Sequence, residues 1–486
     1  MIGKWRNKSP LPYNLPVSKK IGFVFGPLLF ALFLVLPLPG LPPQARKVLA
    51  LACWMAVWWM SEAVPIPATS LLPLALLPLM GVLKLSEAAL AYADPVVFLF
   101  LGGFIVAKAL EAYGLHERMA MPFLAMGRRR PWLVLAGLMC ATAFISMWMS
   151  NTATVMLLLP VALAALSRIH NKRFGAAVML GLAYSASIGG TATLVGTPPN
   201  LVLAGQLPRL FPGAEIGFAR WMAFGLPFAL VFLLLVWLYL SLYFKVFKVK
   251  SDEVSLPEEK RGPLTRAQIY VLAVFVLVAI AWLTREGFFG LPGWERLLGL
   301  KGYLGDATVA ILGALALLAV PGSWKRMAPL LSWEEGSDLP WGILILFGGG
   351  LSLASAFGSS GLSGWIAQGV ISLRGVPSWL LVFIVTGAIS LLTELTSNTA
   401  TAALVIPLLA GVSRGAGLSP YALTVPAALA SSCAFMLPVG TPPNAIVYGT
   451  GRFSIGQMAR VGFIVNLIAV LLITALAVWI LPWALR

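Results

Sequence analysis

The chain has 486 residues, 59% of them hydrophobic and only 10% charged, and its 34 Lys and Arg against 17 Asp and Glu give a formal net charge of +17. Apolar runs of about 20 residues recur from end to end, each long enough to cross the hydrocarbon core of a bilayer. This excludes a soluble globular domain and predicts an all-α polytopic membrane protein; the basic residues sit between the apolar runs, so the charge reads as membrane topology and not as a nucleic-acid surface.

The basic opening segment, 1–20, precedes an apolar run with no small-residue cleavage site, so 21–40 is predicted to be a first span and not a removed signal. Further apolar segments fall at 46–61, 63–83, 94–113, 131–166, 174–210, 217–244, 267–285, 304–322, 339–358, 377–412, 420–450 and 460–485. The charged stretch KVFKVKSDEVSLPEEKRGPLTR at 245–266 is the one clear linker, and it divides the chain into halves. Cys53, Cys140 and Cys433 stand singly in apolar stretches, which suits neither disulfides nor metal. His116 and His170 lie in basic segments without metal-ligand spacing or a nucleophile pattern, so both are expected to be solvated or interfacial, and no catalytic residue is assigned.

The halves repeat. SNTATVMLLLP at 150–160 returns as SNTATAALVIP at 397–407, 247 positions on, and Gly102-Gly103 and Gly114-Leu115 return at the same offset as Gly349-Gly350 and Gly361-Leu362. GTPPN occurs at 196–200 and again at 440–444, an offset of 244. Features in one shared order mark an internal duplication. Arg118, Arg128, Arg129 and Arg130 precede the first SNTAT segment and Arg168, Lys172 and Arg173 follow it, which places both of its ends in the cytoplasm. Such a segment must turn round within the protein. Only Arg374 and Arg414 flank the second, which is expected to enter from outside. The repeats are therefore predicted to be inverted, with a cytoplasmic N-terminus and an external C-terminus.

Ser, Asn and Thr cap helix N-termini, and at the apex of a hairpin they end one half-helix and begin another. Free carbonyls on the incoming leg suit a small cation; free N–H groups on the outgoing leg suit an anion. In GTPPN the prolines break a helix, Gly196 or Gly440 permits close backbone approach, and Asn200 or Asn444 offers an amide. A lone SNT is most often a cap and a lone TPP most often a kink. Doubled and paired within each half, they predict a polar site near the midplane, because irregular backbone at that depth must be buried in protein or line a cavity.

The doubled SNT, each followed by a Thr-Pro-Pro break, together with WWMSEAVPIPATSLLP at 58–73, resembles the divalent anion/sodium symporter family over essentially the whole chain. The resemblance implies about eleven transmembrane helices plus two re-entrant hairpins, with broken fifth and tenth spans, in a homodimer working as an elevator. Scaffold helices would occupy 21–130 and 267–376. Transport regions would occupy 131–244 (hairpin 131–166, broken span 174–210) and 377–486 (hairpin 377–412, broken span 420–450). It further implies one sodium at Ser146, Ser150, Asn151 and Gly196 and another at Thr393, Thr396, Asn398 and Gly440. Substrate carboxylates would meet Ser150, Asn151, Thr152, Ser397, Asn398 and Thr399, with Thr197, Pro198, Thr441 and Pro442 completing the wall.

No Lys or Arg lies in these motifs, so a bound dianion needs neighbouring cations. Glu394, whose counterpart in the first half is Met147, is either functional or a brace for the hairpin. Lys108 and Glu111 are expected to pair along one helix, and Glu62 and Asp94 to be interfacial. The expected activity is secondary transport of small dicarboxylates, succinate-like, coupled to sodium ions with no other cofactor, in a cell membrane that is expected to be a bacterial inner membrane. The alternatives are a sodium-independent dicarboxylate exchanger or a sulfate carrier on the same scaffold, then an ion channel, with a membrane enzyme last.

Overall fold

The computed structural model describes residues 17–126, 130–166, 171–249, 262–288, 291–323 and 327–485. Arg128, Arg129, Arg168, His170, most of the first 20 residues and most of the 245–266 linker lie outside that set.

Helices α1 (Val17–Val35) and α2 (Pro43–Ser61) pack as a pair, with Phe23 stacked on Trp58 at 5.8 Å between ring centroids. Glu62 ends α2 in the left-handed conformation, φ +47°. The proline-rich run that follows is not one helix. Its prolines divide it into α3 (Ile66–Thr69) and α4 (Leu72–Leu79), before α5 (Leu85–Leu90) and α6 (Pro95–Ala112). Asp94 caps α6 by accepting from the Val96 N–H at 2.9 Å. Helix α7 (Leu115–Ala125) starts after Gly114, φ +62°, just as a later helix starts after Gly361, φ +83°. The repeated Gly-Leu pair thus marks a left-handed turn that glycine adopts without a steric cost.

Four residues separate α8 (Pro131–Ser146) from α9 (Asn151–Leu166), and seven separate α10 (Lys172–Gly190) from α11 (Pro198–Leu210). Every residue of α10 from Phe174 to Gly190 is buried, so this helix runs through the centre of the molecule. Helix α12 (Phe218–Tyr243) completes the first half.

The second half comprises α13 (Arg266–Thr284), α14 (Trp294–Leu297), α15 (Asp306–Ala319), α16 (Trp333–Gly336), α17 (Trp341–Ser359) and α18 (Leu362–Gly369). Then come α19 (Ser378–Thr393), α20 (Asn398–Ala416), α21 (Tyr421–Ser431), α22 (Pro442–Tyr448) and α23 (Ile455–Ala475), which runs through a π-turn at Leu476–Ile480 into α24 (Leu481–Ala484). Two short antiparallel pairs were not foreseen: β1 (Gly287–Phe288) with β2 (Leu291–Pro292), and β3 (Pro321–Ser323) with β4 (Ala328–Pro329).

Among the described residues six helices are long and apolar enough to cross a membrane, and six apolar stretches of helix are shorter. The shorter ones include Ile66–Leu79 and α15, whose 14 residues rise about 21 Å. His116 is buried, 5% exposed, with Nδ1 2.9 Å from the Leu110 carbonyl, so the solvated position expected for it is wrong: α7 folds back over the end of α6 and covers it. Lys108 pairs with Glu111 and also with Asp338, each at 3.6 Å.

Side chains tie α11 to its neighbours. Gln206 Nε2 donates to the carbonyls of Gly350 in α17 and Ala403 in α20, each at 3.1 Å. Arg209 reaches Asp94 at 2.7 Å and donates to Ser355 Oγ at 3.2 Å. Asp94, expected at an interface, is thus a cap and an ion-pair partner at once.

Candidate functional site

Both GTPPN breaks are braced by their asparagines in the same way. Asn200 Nδ2 donates to the carbonyls of Gly190 at 3.1 Å and Thr193 at 2.7 Å. Asn444 Nδ2 donates to those of Ala434 and Leu437, each at 3.0 Å. The reach is 10 and 7 residues in each case, so the two breaks have one geometry.

Beside each break, oxygens outnumber the protons available to them. Ser146 Oγ is 2.8 Å from Asn151 Oδ1 and 2.8 Å from the Ala186 carbonyl. Thr393 Oγ1 is 2.8 Å from Asn398 Oδ1 and 2.8 Å from the Ser431 carbonyl. A hydroxyl carries one hydrogen, so each trio holds one acceptor that the hydroxyl cannot satisfy. Ser146 and Thr393 are fully buried. In the first trio the backbone closes in as well: a Cβ on Gly190 would stand 2.7 Å from Asn151 Oδ1 and 3.0 Å from the Gly196 carbonyl. Converging neutral oxygens beside an unwound helix suit a small hard cation. Among the described residues no group of three or more His, Cys, Asp or Glu is placed to hold a metal ion.

Ala186 and Ser431 are absent from the ligand set that the resemblance implies, because a backbone carbonyl leaves no mark on residue type. Thr396, expected beside Asn398, instead directs its hydroxyl to the Leu392 carbonyl at 2.9 Å and to Thr401 Oγ1 at 2.6 Å, within its own hairpin. Ser150 caps α9 by accepting from the Ala153 N–H at 3.3 Å, whereas Ser397 makes no side-chain cap to α20.

The tie between hairpin and break is made from opposite ends in the two halves. In the first, Thr193 Oγ1 donates to the Met147 carbonyl at 2.6 Å and accepts from the Gly196 N–H at 3.0 Å. In the second, Glu394 reaches from the hairpin to the break. Its carboxylate accepts from the N–H groups of Phe435, Met436 and Leu437 at 2.7, 2.9 and 3.0 Å, and from Asn466 Nδ2 at 2.8 Å. Four donors on one carboxylate make Glu394 a brace.

One cavity of about 910 Å³ gathers Ser150, Asn151, Thr152, Thr197 and Pro198 from the first half with Ser397, Asn398, Thr399, Thr441 and Pro442 from the second. Gly196, Gly440 and Thr396 also line it, while Ser146 and Thr393 do not and belong to the buried trios behind it. Helices α9 and α20 begin on this wall, and their first-turn N–H groups have no intrahelical partner. The positive end of each helix dipole therefore meets the cavity. Ile66, Pro67, Pro340, Gly342 and Glu62 belong to its lining from the other parts of the two halves. Glu62 was expected at an interface; it and Lys19 are the charged residues of the lining, 3.5 Å apart.

The sodium:sulfate symporter transmembrane region matches residues 20–485 of the chain. The sodium-dependent dicarboxylate transporter SdcS of Staphylococcus saprophyticus is 41% identical over 99% of this chain and 93% of its own length. The transporter of that name from Staphylococcus aureus is 40% identical over 98% and 94%. Among solved structures, the YdaH transporter of Alcanivorax borkumensis shares the fold with a TM-score of 0.59 at 17% identity, covering 97% of this chain and 100% of its own. MtrF of Neisseria gonorrhoeae does so with a TM-score of 0.56 at 14% identity, covering 96% of each chain. With a family match across almost its whole length and relatives at two-fifths identity, this chain is a multi-pass transporter, not an enzyme, and belongs to the sodium:sulfate symporter family.

Proposed function

We propose that the protein imports small dicarboxylates, succinate-like, together with sodium ions. The observation that carries this reading is the pair of one-proton, three-oxygen trios set directly behind a cavity lined by hydroxyls, amides and helix starts. Sodium in the first trio meets Ser146, Asn151 and the Ala186 carbonyl, with Gly196 adjoining; in the second it meets Thr393, Asn398 and the Ser431 carbonyl. Asn151 and Asn398 each face a trio with one side and the cavity with the other, so an occupied ion site orients the amide wall that the dianion touches. Two sodium ions supply the positive charge that the motifs lack, which makes dianion binding conditional on sodium. The relatives above, named as sodium-dependent dicarboxylate transporters, support the same substrates.

The two hairpins and broken spans move together past the remaining helices as an elevator, in a homodimer embedded in lipid. The N-terminus is cytoplasmic, so a cavity that includes Lys19 opens inward. The test is uptake of radiolabelled succinate, citrate and sulfate into proteoliposomes with and without sodium. Saturable succinate uptake that requires sodium, and its loss in folded Asn151→Ala and Asn398→Ala proteins, is expected. Sodium-independent uptake that needs internal dicarboxylate would replace symport by exchange.

A further inference from the structure

The cavity's two charged side chains have no role in the reading above. Lys19 belongs to the first turn of α1 and Glu62 ends α2; their side chains are 33% and 55% exposed, with Nζ 3.5 Å from Oε2. A cation in the first turn opposes the helix dipole, so Lys19 does not serve the stability of α1. Topology asks for positive charge at this end, but exposed Lys20 answers that without lining the cavity. Glu62 is held at φ +47°, a conformation that side chains other than glycine rarely adopt and that survives where the surroundings impose it. The inner wall offers hydroxyls, amides and N–H groups but no formal positive charge. Among the described residues Lys19 is therefore the one cationic side chain that an anion meets along the lining.

We propose that Lys19 is a specificity-determining residue: it stages one carboxylate of the dicarboxylate at the mouth of the cavity, displacing Glu62, which pairs with Lys19 again once the substrate has moved on. This rests on the dicarboxylate reading. Exchange of one carboxylate for another keeps Lys19 paired throughout. The displaced Glu62 then stands beside the staged substrate and disfavours a third negative charge, so dianions are preferred to trianions.

The experiment is sodium-dependent succinate counterflow in proteoliposomes of the full chain, measured from each face at low and at high salt. Lys19→Gln is expected to raise half-saturating succinate about two- to fivefold on the face where the cavity opens, at low salt, and to flatten the salt dependence. Lys19→Arg is expected to restore both. Glu62→Gln and Glu62→Gly are both expected to lower half-saturation and to strengthen inhibition by a tricarboxylate. Glutamine keeps the backbone strain that Glu62 carries and glycine relieves it, so agreement between them assigns the effect to charge. The proposal is overturned if Lys19→Gln changes nothing on either face, if Lys19→Arg behaves like Lys19→Gln, or if the two Glu62 variants move in opposite directions. Should Lys19→Gln not fold, the Glu62 arm decides alone. Absence of sodium-dependent counterflow in the unaltered protein would overturn the transport reading instead.

Discussion

Replacing Thr393 by valine keeps the shape of the side chain and removes the one hydroxyl shared by Asn398 Oδ1 and the Ser431 carbonyl. Without sodium, the hydroxyl contributes a neutral hydrogen bond, worth about 0.5–1.5 kcal/mol net. With sodium in the trio, the same oxygen faces a full charge, and such contacts are worth about 1.5–3 kcal/mol. The variant loses more in the sodium-bound protein than in the free one, by about 1–1.5 kcal/mol, so half-saturating sodium rises about tenfold. Thermal unfolding of the purified protein, titrated with sodium against choline as the substitute cation, reads this binding apart from transport. Sodium-driven succinate uptake should show the same displacement, and Thr393→Ser, which keeps the hydroxyl, should show neither. A half-saturating sodium concentration that is unchanged or lower in Thr393→Val would refute the ion site.

Glu394→Gln places an amide N–H against a backbone N–H in the turn at Phe435–Leu437, so the unfolding temperature should fall while half-saturating succinate stays within about twofold; a large loss of substrate affinity in stable protein would argue against a brace. For topology, single cysteines at Arg130 and Lys172 should react with an impermeant reagent only from the cytoplasm, and cysteines at Arg374 and Arg414 only from outside. Equal sidedness of the two pairs would defeat the inverted arrangement.

Where the chain bends was legible because bending needs particular residues. Ser-Asn-Thr and Thr-Pro-Pro mark the points at which α8 gives way to α9, α10 to α11, α19 to α20, and α21 to α22. The ten wall positions that the resemblance implies fall within those motifs, and all ten line one cavity. Other parts left no such trace. Any residue can present a carbonyl, so Ala186 and Ser431 had no signature. Lys19 and Glu62 look like ordinary span-end charges until α1 and α2 pack side by side. Thr396 stands directly before the motif that holds Asn398, yet its hydroxyl is held by Thr401 five residues on. At 63–83 hydropathy is continuous, but the prolines of VPIPATSLLPLALLPLMG already mark short or bent helices, and they cut the run into α3 and α4.

The side chains that hold α11 bear on how the carrier idles. In an elevator motion α11 and α20 travel together, so the link from Gln206 to Ala403 persists while those from Gln206 to Gly350 and from Arg209 to Asp94 and Ser355 must part. All of them are made in the conformation whose cavity includes Lys19. On the proposed elevator motion every departure from that conformation, loaded or empty, has to break the three that must part. Influx and efflux through this protein should then differ in rate under mirror-image gradients, an asymmetry written into three side-chain contacts that include no member of either trio.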